Sequence, residues 1–154
     1  MKTYLKIGEL SQRTGTQVET IRYYEREGLM PSPARSDGNY RLYDSTHAER
    51  LSFIRHCRSL DMTLDEIRIL LRFRDSPNEN CADVNTLLDE HIGHVADRIE
   101  DLQELERQLK ELRRRCRRAR ASKDCGILNK LATPTNRANA AAHVHGTHGR
   151  RVKQ

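Results

Sequence analysis

A run from Ala82 to about Arg115 that contains no proline and a single glycine, Gly93, narrows what this chain can become more than anything else in it. Apolar residues fall at Val84, Leu87, Leu88, Ile92, Val95, Ile99, Leu102, Leu105, Leu109 and Leu112. From Leu88 onward their spacing alternates mostly between three and four, which is the seam of a coiled coil. At 1.5 Å per residue such a helix is about 50 Å long, too long to fold back on a small neighbouring domain. A lone helix cannot hide its stripe, so a second copy is the economical partner.

The rest of the chain leaves room for one small domain. The 154 residues are 36% apolar and 32% charged, with no Trp, a thin supply for a large core. The net charge of +6 is unevenly spread. Residues 1–75 carry +2, residues 76–112 carry −7, residues 113–132 carry +7 and the remainder carries +4. Antiparallel pairing sets the acidic start of the long helix against its basic end, whereas parallel pairing stacks like charges. The opening Met-Lys-Thr-Tyr-Leu-Lys offers no signal-peptide core and no later stretch spans a bilayer, so the expected compartment is the cytoplasm. There, four cysteines are reduced thiols or ligands rather than disulfides.

Residues 5–75 read as a compact head. The spacing predicts a short helix over IGELSQRT at 7–14, a turn at Gly15, and Thr16 as cap of a second helix through VETIRYYERE. Gly28 ends that helix, and Pro31 and Pro33 prevent its resumption. Two short helices across a glycine turn form a helix-turn-helix. The stretch ARSDGNYRLY at 34–43 then predicts a hairpin with its tip at Asp37-Gly38-Asn39 and Arg35 and Arg41 on either side. A basic hairpin beside a helix-turn-helix is a wing that grips phosphates. Asp44 caps a third helix with Leu51, Ile54, Cys57 and Leu60 on one face. Thr63 and Glu66 form a capping box for a fourth, with Met62 and Ile67 as its staple. Leu64, Ile67, Leu70, Leu71 and Phe73 supply its buried stripe.

The stretches IGEL, ETIRYYEREG, ARSDGNYRLY and SLDMTLDEIRILL resemble, in that order and spacing, the DNA-binding domain of MerR-type transcription regulators. The resemblance implies a mainly α fold: a winged helix-turn-helix head, a long antiparallel dimerisation helix at 81–116, and a metal-binding loop with a short closing helix at 116–131. Beyond these, 132–154 reads as a disordered, histidine-containing tail. It further implies a homodimer on double-stranded promoter DNA that acts on RNA polymerase through the promoter. The expected DNA-facing set is Thr16, Gln17, Glu19, Thr20, Arg22, Tyr23, Arg35, Asn39, Tyr40, Arg41 and Tyr43.

Cys81 and Cys116 bracket the long helix and are about 50 Å apart along one straight rod, so one chain cannot bring them to a common ligand. In an antiparallel dimer Cys81 of one subunit arrives beside Cys116 of the other, and the loop can return Cys125 to Cys116. On spacing alone two readings stand, small apolar cysteines or two three-thiolate sites that span both chains. Resemblance to the cadmium- and lead-responsive branch, carried by RHCRSLDMTLDEIR, the N-C-x-x-V-N start and C-G-I-L, implies the second. Soft thiolates select soft or borderline ions, here Cd(II) or Pb(II), with Zn(II) or Hg(II) as the alternative inducer. The implied function is activation of metal-efflux or resistance genes, and the rival is a metal-sequestering DNA-binding dimer. Cys57, on an apolar helix face, reads as structural, as do His47 and His56. His91 and His94, three apart on one helix face, form a candidate second metal site with His143, His145 and His148 of the tail; solvated histidines are the plain alternative. No catalytic constellation is present, so an enzyme is not expected.

Overall fold

The computed structural model describes residues 3–119 and 121–134. The fold is mainly helical, with one two-stranded antiparallel sheet. Helix α1 (Ile7–Thr14) starts where Glu9 Oε2 accepts the Lys6 N–H at 2.6 Å, and it ends at Gly15, whose φ of 62° places it in the left-handed region. Helix α2 (Val18–Arg26) follows. Its N-cap is Gln17 rather than Thr16, and no side chain closes the cap. Thr16 is buried instead, with its hydroxyl unpartnered.

Strands β1 (Ala34–Arg35) and β2 (Arg41–Leu42) pair antiparallel, placing Arg35 opposite Arg41. The left-handed residue of the turn is Asn39, at φ 63°, and not Gly38. A Cβ at Gly38 would stand 3.1 Å from the exposed Tyr40 ring, which would have to give way slightly. Leu5 and Tyr43 exchange two backbone hydrogen bonds of 2.7 and 2.9 Å, tying the chain start to the foot of the wing.

Helix α3 (Ser45–Ser59) is capped by Asp44, whose carboxylate accepts from the N–H groups of Thr46 and His47. The Thr46 hydroxyl, followed by His47, holds that carboxyl below the usual range. Helix α4 (Leu64–Asp75) carries the expected capping box: Thr63 Oγ1 accepts from Glu66 N at 3.2 Å and Glu66 Oε2 accepts from Thr63 N at 2.7 Å. Leu60 departs from the expected buried stripe. It lies beyond the last turn of α3 and is 53% exposed.

The head's core gathers Leu10, Ile21, Leu29, Tyr43, Leu51, Ile54, Ile67 and Leu71, all at 2% exposure or less. Three arginines hold carbonyls at the ends of α1 and α2 or in the turn after α2, where the backbone has no helical partner. Arg55 donates to the Thr14 carbonyl, Arg50 Nε to Leu29 O at 2.6 Å, and Arg68 Nη2 to Glu27 O at 3.0 Å. Arg50 also pairs with Asp75, and Arg68 with the Glu27 carboxylate.

Helix α5 (Ala82–Arg114) is a single 33-residue helix, begun where Asn80 Oδ1 accepts the Ala82 N–H. A short 3-10 turn (Ser122–Asp124) and helix α6 (Gly126–Ala132) follow. The chain divides between Val95 and Ala96 into two compact units. Among the described residues no helix is long and apolar enough to cross a membrane.

Candidate functional site

Two sets of side chains carry chemistry. The first surrounds the groove between α1 and the wing, a space of about 580 Å³ lined by Lys6, Ile7, Gly8, Glu9, Gln12, Arg22, Asn39, Tyr40 and Arg41. Five cationic or amide side chains and a tyrosine therefore face one concave surface. Arg35 Nη1 donates to Asn39 Oδ1 at 2.9 Å and to Asn39 O at 3.2 Å, which stiffens the tip. Lys6 stands 5.9 Å over the Tyr40 ring, a cation–π contact. On α2, Gln17, Glu19, Arg22 and Tyr23 are exposed and Thr20 is half-buried. Arg22 pairs with Glu19 at 2.9 Å.

Two members of the expected DNA-facing set are corrected. Tyr43 is fully buried, and its hydroxyl donates to Glu25 Oε1 at 2.5 Å. Burial, then the Glu25 hydrogen bond, pushes its phenol well above the ordinary value. Residues three apart in a strand lie on opposite faces, so Tyr40 is exposed while Tyr43, still bridged to Leu5, faces the core. Thr16, with its hydroxyl enclosed, likewise offers nothing to a duplex.

The second set is thiols and imidazoles. Cys57 is buried, and burial pushes its thiol up, as expected of a structural cysteine. Cys81 is exposed just ahead of α5, in the first unit. Cys116 and Cys125 both belong to the second unit, close enough that the Cys116 side chain acts on the Cys125 thiol. The Cys116 thiol also donates to Arg118 O at 3.3 Å. The Cys125 thiol is lowered first by the Leu128 N–H, then by the Ile127 N–H and by Cys116, against the opposing effect of burial. A lowered thiol supplies the thiolate a metal requires.

Gly126 makes this pairing possible. A Cβ on it would lie 2.6 Å from the Arg115 carbonyl oxygen, so only glycine lets α6 start against the end of α5 and set Cys125 beside Cys116. Gly126 is legible in the sequence only as the start of a closing helix. A glycine directly after a ligand cysteine was the available clue.

Glu66 is the other residue hidden from the sequence, where it reads simply as the third residue of a capping box. Oε2 does that work, accepting from Thr63 N and Thr63 Oγ1, while Oε1 lies 3.0 Å from His91 Nδ1. His91 Nε2 lies 2.9 Å from Leu60 O. The Leu60 carbonyl, then the Glu66 carboxylate, raise the His91 imidazole above its ordinary value, against the opposing effect of burial. Donor atoms of Glu66, His91 and His94 all lie within 4.8 Å of one another. His143, His145 and His148 lie outside the described residues. His47 is buried against Asp44 at 2.7 Å and is structural.

The description "MerR HTH family regulatory protein" matches residues 5–73, and "MerR, DNA binding" matches residues 48–112. The HTH-type transcriptional regulator ZntR homolog of Haemophilus influenzae is 48% identical over 71% of this chain and 81% of its own length. The crystal structure of PbrR691 from Ralstonia metallidurans in complex with lead(II) is 55% identical. It covers 83% of this chain and 99% of its own, with a TM-score of 0.74. MerR of Bacillus megaterium in complex with mercury(II) is 34% identical, covers 84% and 100%, and has a TM-score of 0.63. The chain belongs to the MerR family of helix-turn-helix regulators. Its class is thus a DNA-binding transcription regulator that acts as a homodimer on promoter DNA, and not an enzyme.

Proposed function

We propose that this regulator is metal-responsive, with cadmium(II) or lead(II) as its inducer, held by Cys81 of one subunit and Cys116 and Cys125 of the other. The observation that carries the reading is the Cys116–Cys125 pair. The loop brings two thiols together, one of them lowered toward thiolate, and the remaining exposed cysteine sits at the opposite end of a 33-residue helix. Antiparallel pairing of two such helices along their exposed apolar stripe supplies the third sulfur from the partner, twice per dimer. Three thiolates suit soft, large ions. The lead-bound relative supports this choice, while the mercury-bound relative supports the same mechanism with another ion.

The rest follows from a dimer seated on a two-fold operator. When both ends close on metal, the heads shift and distort the operator, realigning the promoter for polymerase. Smooth bending of such a site costs on the order of 1–6 kcal/mol, within reach of ligand binding. The regulated genes are metal-efflux or resistance genes, and the compartment is the cytoplasm. The test is a titration of cadmium, lead, zinc and mercury against wild type and Cys116→Ser. Thiolate charge-transfer absorption and promoter transcription are followed together. The expected result is absorption saturating at two ions per dimer with parallel induction, both lost in the variant. Absorption without any change in transcript favours a sequestering dimer instead.

A second, weaker metal site is favoured by Glu66, His91 and His94. One oxygen of Glu66 is anchored by the capping box, and His91 can keep its Nε2–H on Leu60 O while Nδ1 binds, an arrangement typical of oriented ligands. The nitrogen and oxygen donors suit borderline ions more than the thiolate site does. Histidines of the tail would complete the shell. Deleting residues 133–154 then lowers metal stoichiometry; unchanged stoichiometry removes the tail from the account.

A further inference from the structure

A carboxylate in the last turn of α2 sits beside the basic groove, where it opposes phosphate attraction. Glu25 is only 13% exposed at its side chain. An acid in that place lowers DNA affinity through charge alone, so its presence calls for a compensating role. Its two oxygens are divided between two elements. Oε1 accepts from the buried Tyr43 hydroxyl at 2.5 Å, and Oε2 pairs with Arg41 Nε at 3.5 Å.

The wing's register makes that second contact consequential. Arg35 and Arg41 stand directly across from each other, and like charges in that relation repel. Each has its own partner, Arg35 through hydrogen bonds to Asn39 and Arg41 through an ion pair with Glu25. Because Glu25 engages Nε, the terminal nitrogens of Arg41 remain for a bidentate grip on a phosphate. Tyr43 anchors the same carboxylate to the core, where its ring also packs edge-on to His47 at 5.4 Å. A rigid path therefore runs from α2 through Glu25 to the wing and to the start of α3.

We infer that Glu25 is a positioning residue for DNA recognition: it orients Arg41 and locks the wing to α2, so that groove reading and backbone grip occur in one register. It lowers general attraction to DNA and raises discrimination. A role in stability alone predicts something different, since glutamine keeps an acceptor for the Tyr43 hydroxyl while losing the charge that orients Arg41.

The test uses the full-length dimer and two duplexes of equal length. One carries an operator selected in vitro from random DNA by the wild-type protein, and the other is a scrambled version. Glu25→Gln is expected to bind the scrambled duplex as well as wild type or better, with the operator-to-scrambled affinity ratio falling about tenfold. Arg41→Lys keeps the charge but lacks the Nε that Glu25 holds, so it is expected to show a similar fall. The double variant should fall no further than either single one. A ratio unchanged in Glu25→Gln, or a fall in the double variant equal to the two single falls combined, overturns the inference. Should Glu25→Gln not fold, the exposed Arg41→Lys decides alone, and a wild-type ratio there overturns it.

Discussion

The head and the long helix solve the burial of apolar residues in opposite ways. In the head, eight side chains reach 2% exposure or less, and arginines from α3 and α4 hold carbonyls at and just beyond the ends of α1 and α2. Along α5 only Leu87 is buried, whereas Leu88, Ile92, Val95, Ile99, Leu102, Leu105 and Leu109 are all between 38% and 63% exposed. One region is complete within a single copy and the other is not. The same division runs through the proposed function: the groove beside the wing lies within one chain, while the proposed thiolate site takes its third sulfur from a second copy.

The sharpest break in that comparison comes from the stripe. Ile99→Asp should raise the dimer dissociation constant by at least about a hundredfold, since it removes roughly 1.5–3 kcal/mol of burial on each of two copies and adds a charge. Sedimentation checks this, and the head's thermal transition should stay near that of wild type. Leu51→Ala is the converse. It should cost the head about 2–5 kcal/mol in denaturant unfolding while leaving the association of α5 nearly intact.

Gly126→Ala addresses the loop alone. Its Cβ collides with the Arg115 carbonyl, so Cys125 moves off Cys116 and metal affinity at the thiolate site falls by about tenfold or more. Dimerisation and binding to metal-free operator should be unchanged.

The smallest effect concerns His91. Its folded-state value is raised, so the stabilisation it lends through Leu60 O and Glu66 is full below the unfolded value of about 6.5 and fades as pH rises through the folded value. Unfolding midpoints of wild type and His91→Ala, compared from pH 6 to pH 9 without metal, should converge with rising pH. The difference at the acid end is of order 0.5 kcal/mol.

Much of this was legible in the residues. Periodicity gave the helices, the Thr63–Glu66 box and the Asp44 cap set two helix starts correctly, and the DGN tip announced the wing. What escaped was set by tertiary contacts that no local pattern encodes. Tyr43 lies three residues from Tyr40, on the other face, and its Glu25 acceptor lies far away in sequence. Thr16 has the chemistry of a cap, but the turn at Gly15 buries it one residue early. Glu66 is engaged twice, and only the cap is visible in sequence. The reason for glycine at 126 needed the Arg115 carbonyl in place.

The central claim is that each thiolate site draws on both subunits. Mixing Cys81→Ser and Cys116→Ser chains tests it most directly, because each variant dimer alone lacks an intact site and a mixed dimer can rebuild one. The account predicts that the purified mixed dimer regains thiolate charge-transfer absorption at one cadmium ion per dimer, half the wild-type stoichiometry. A mixed dimer as silent as its two parents would contradict it.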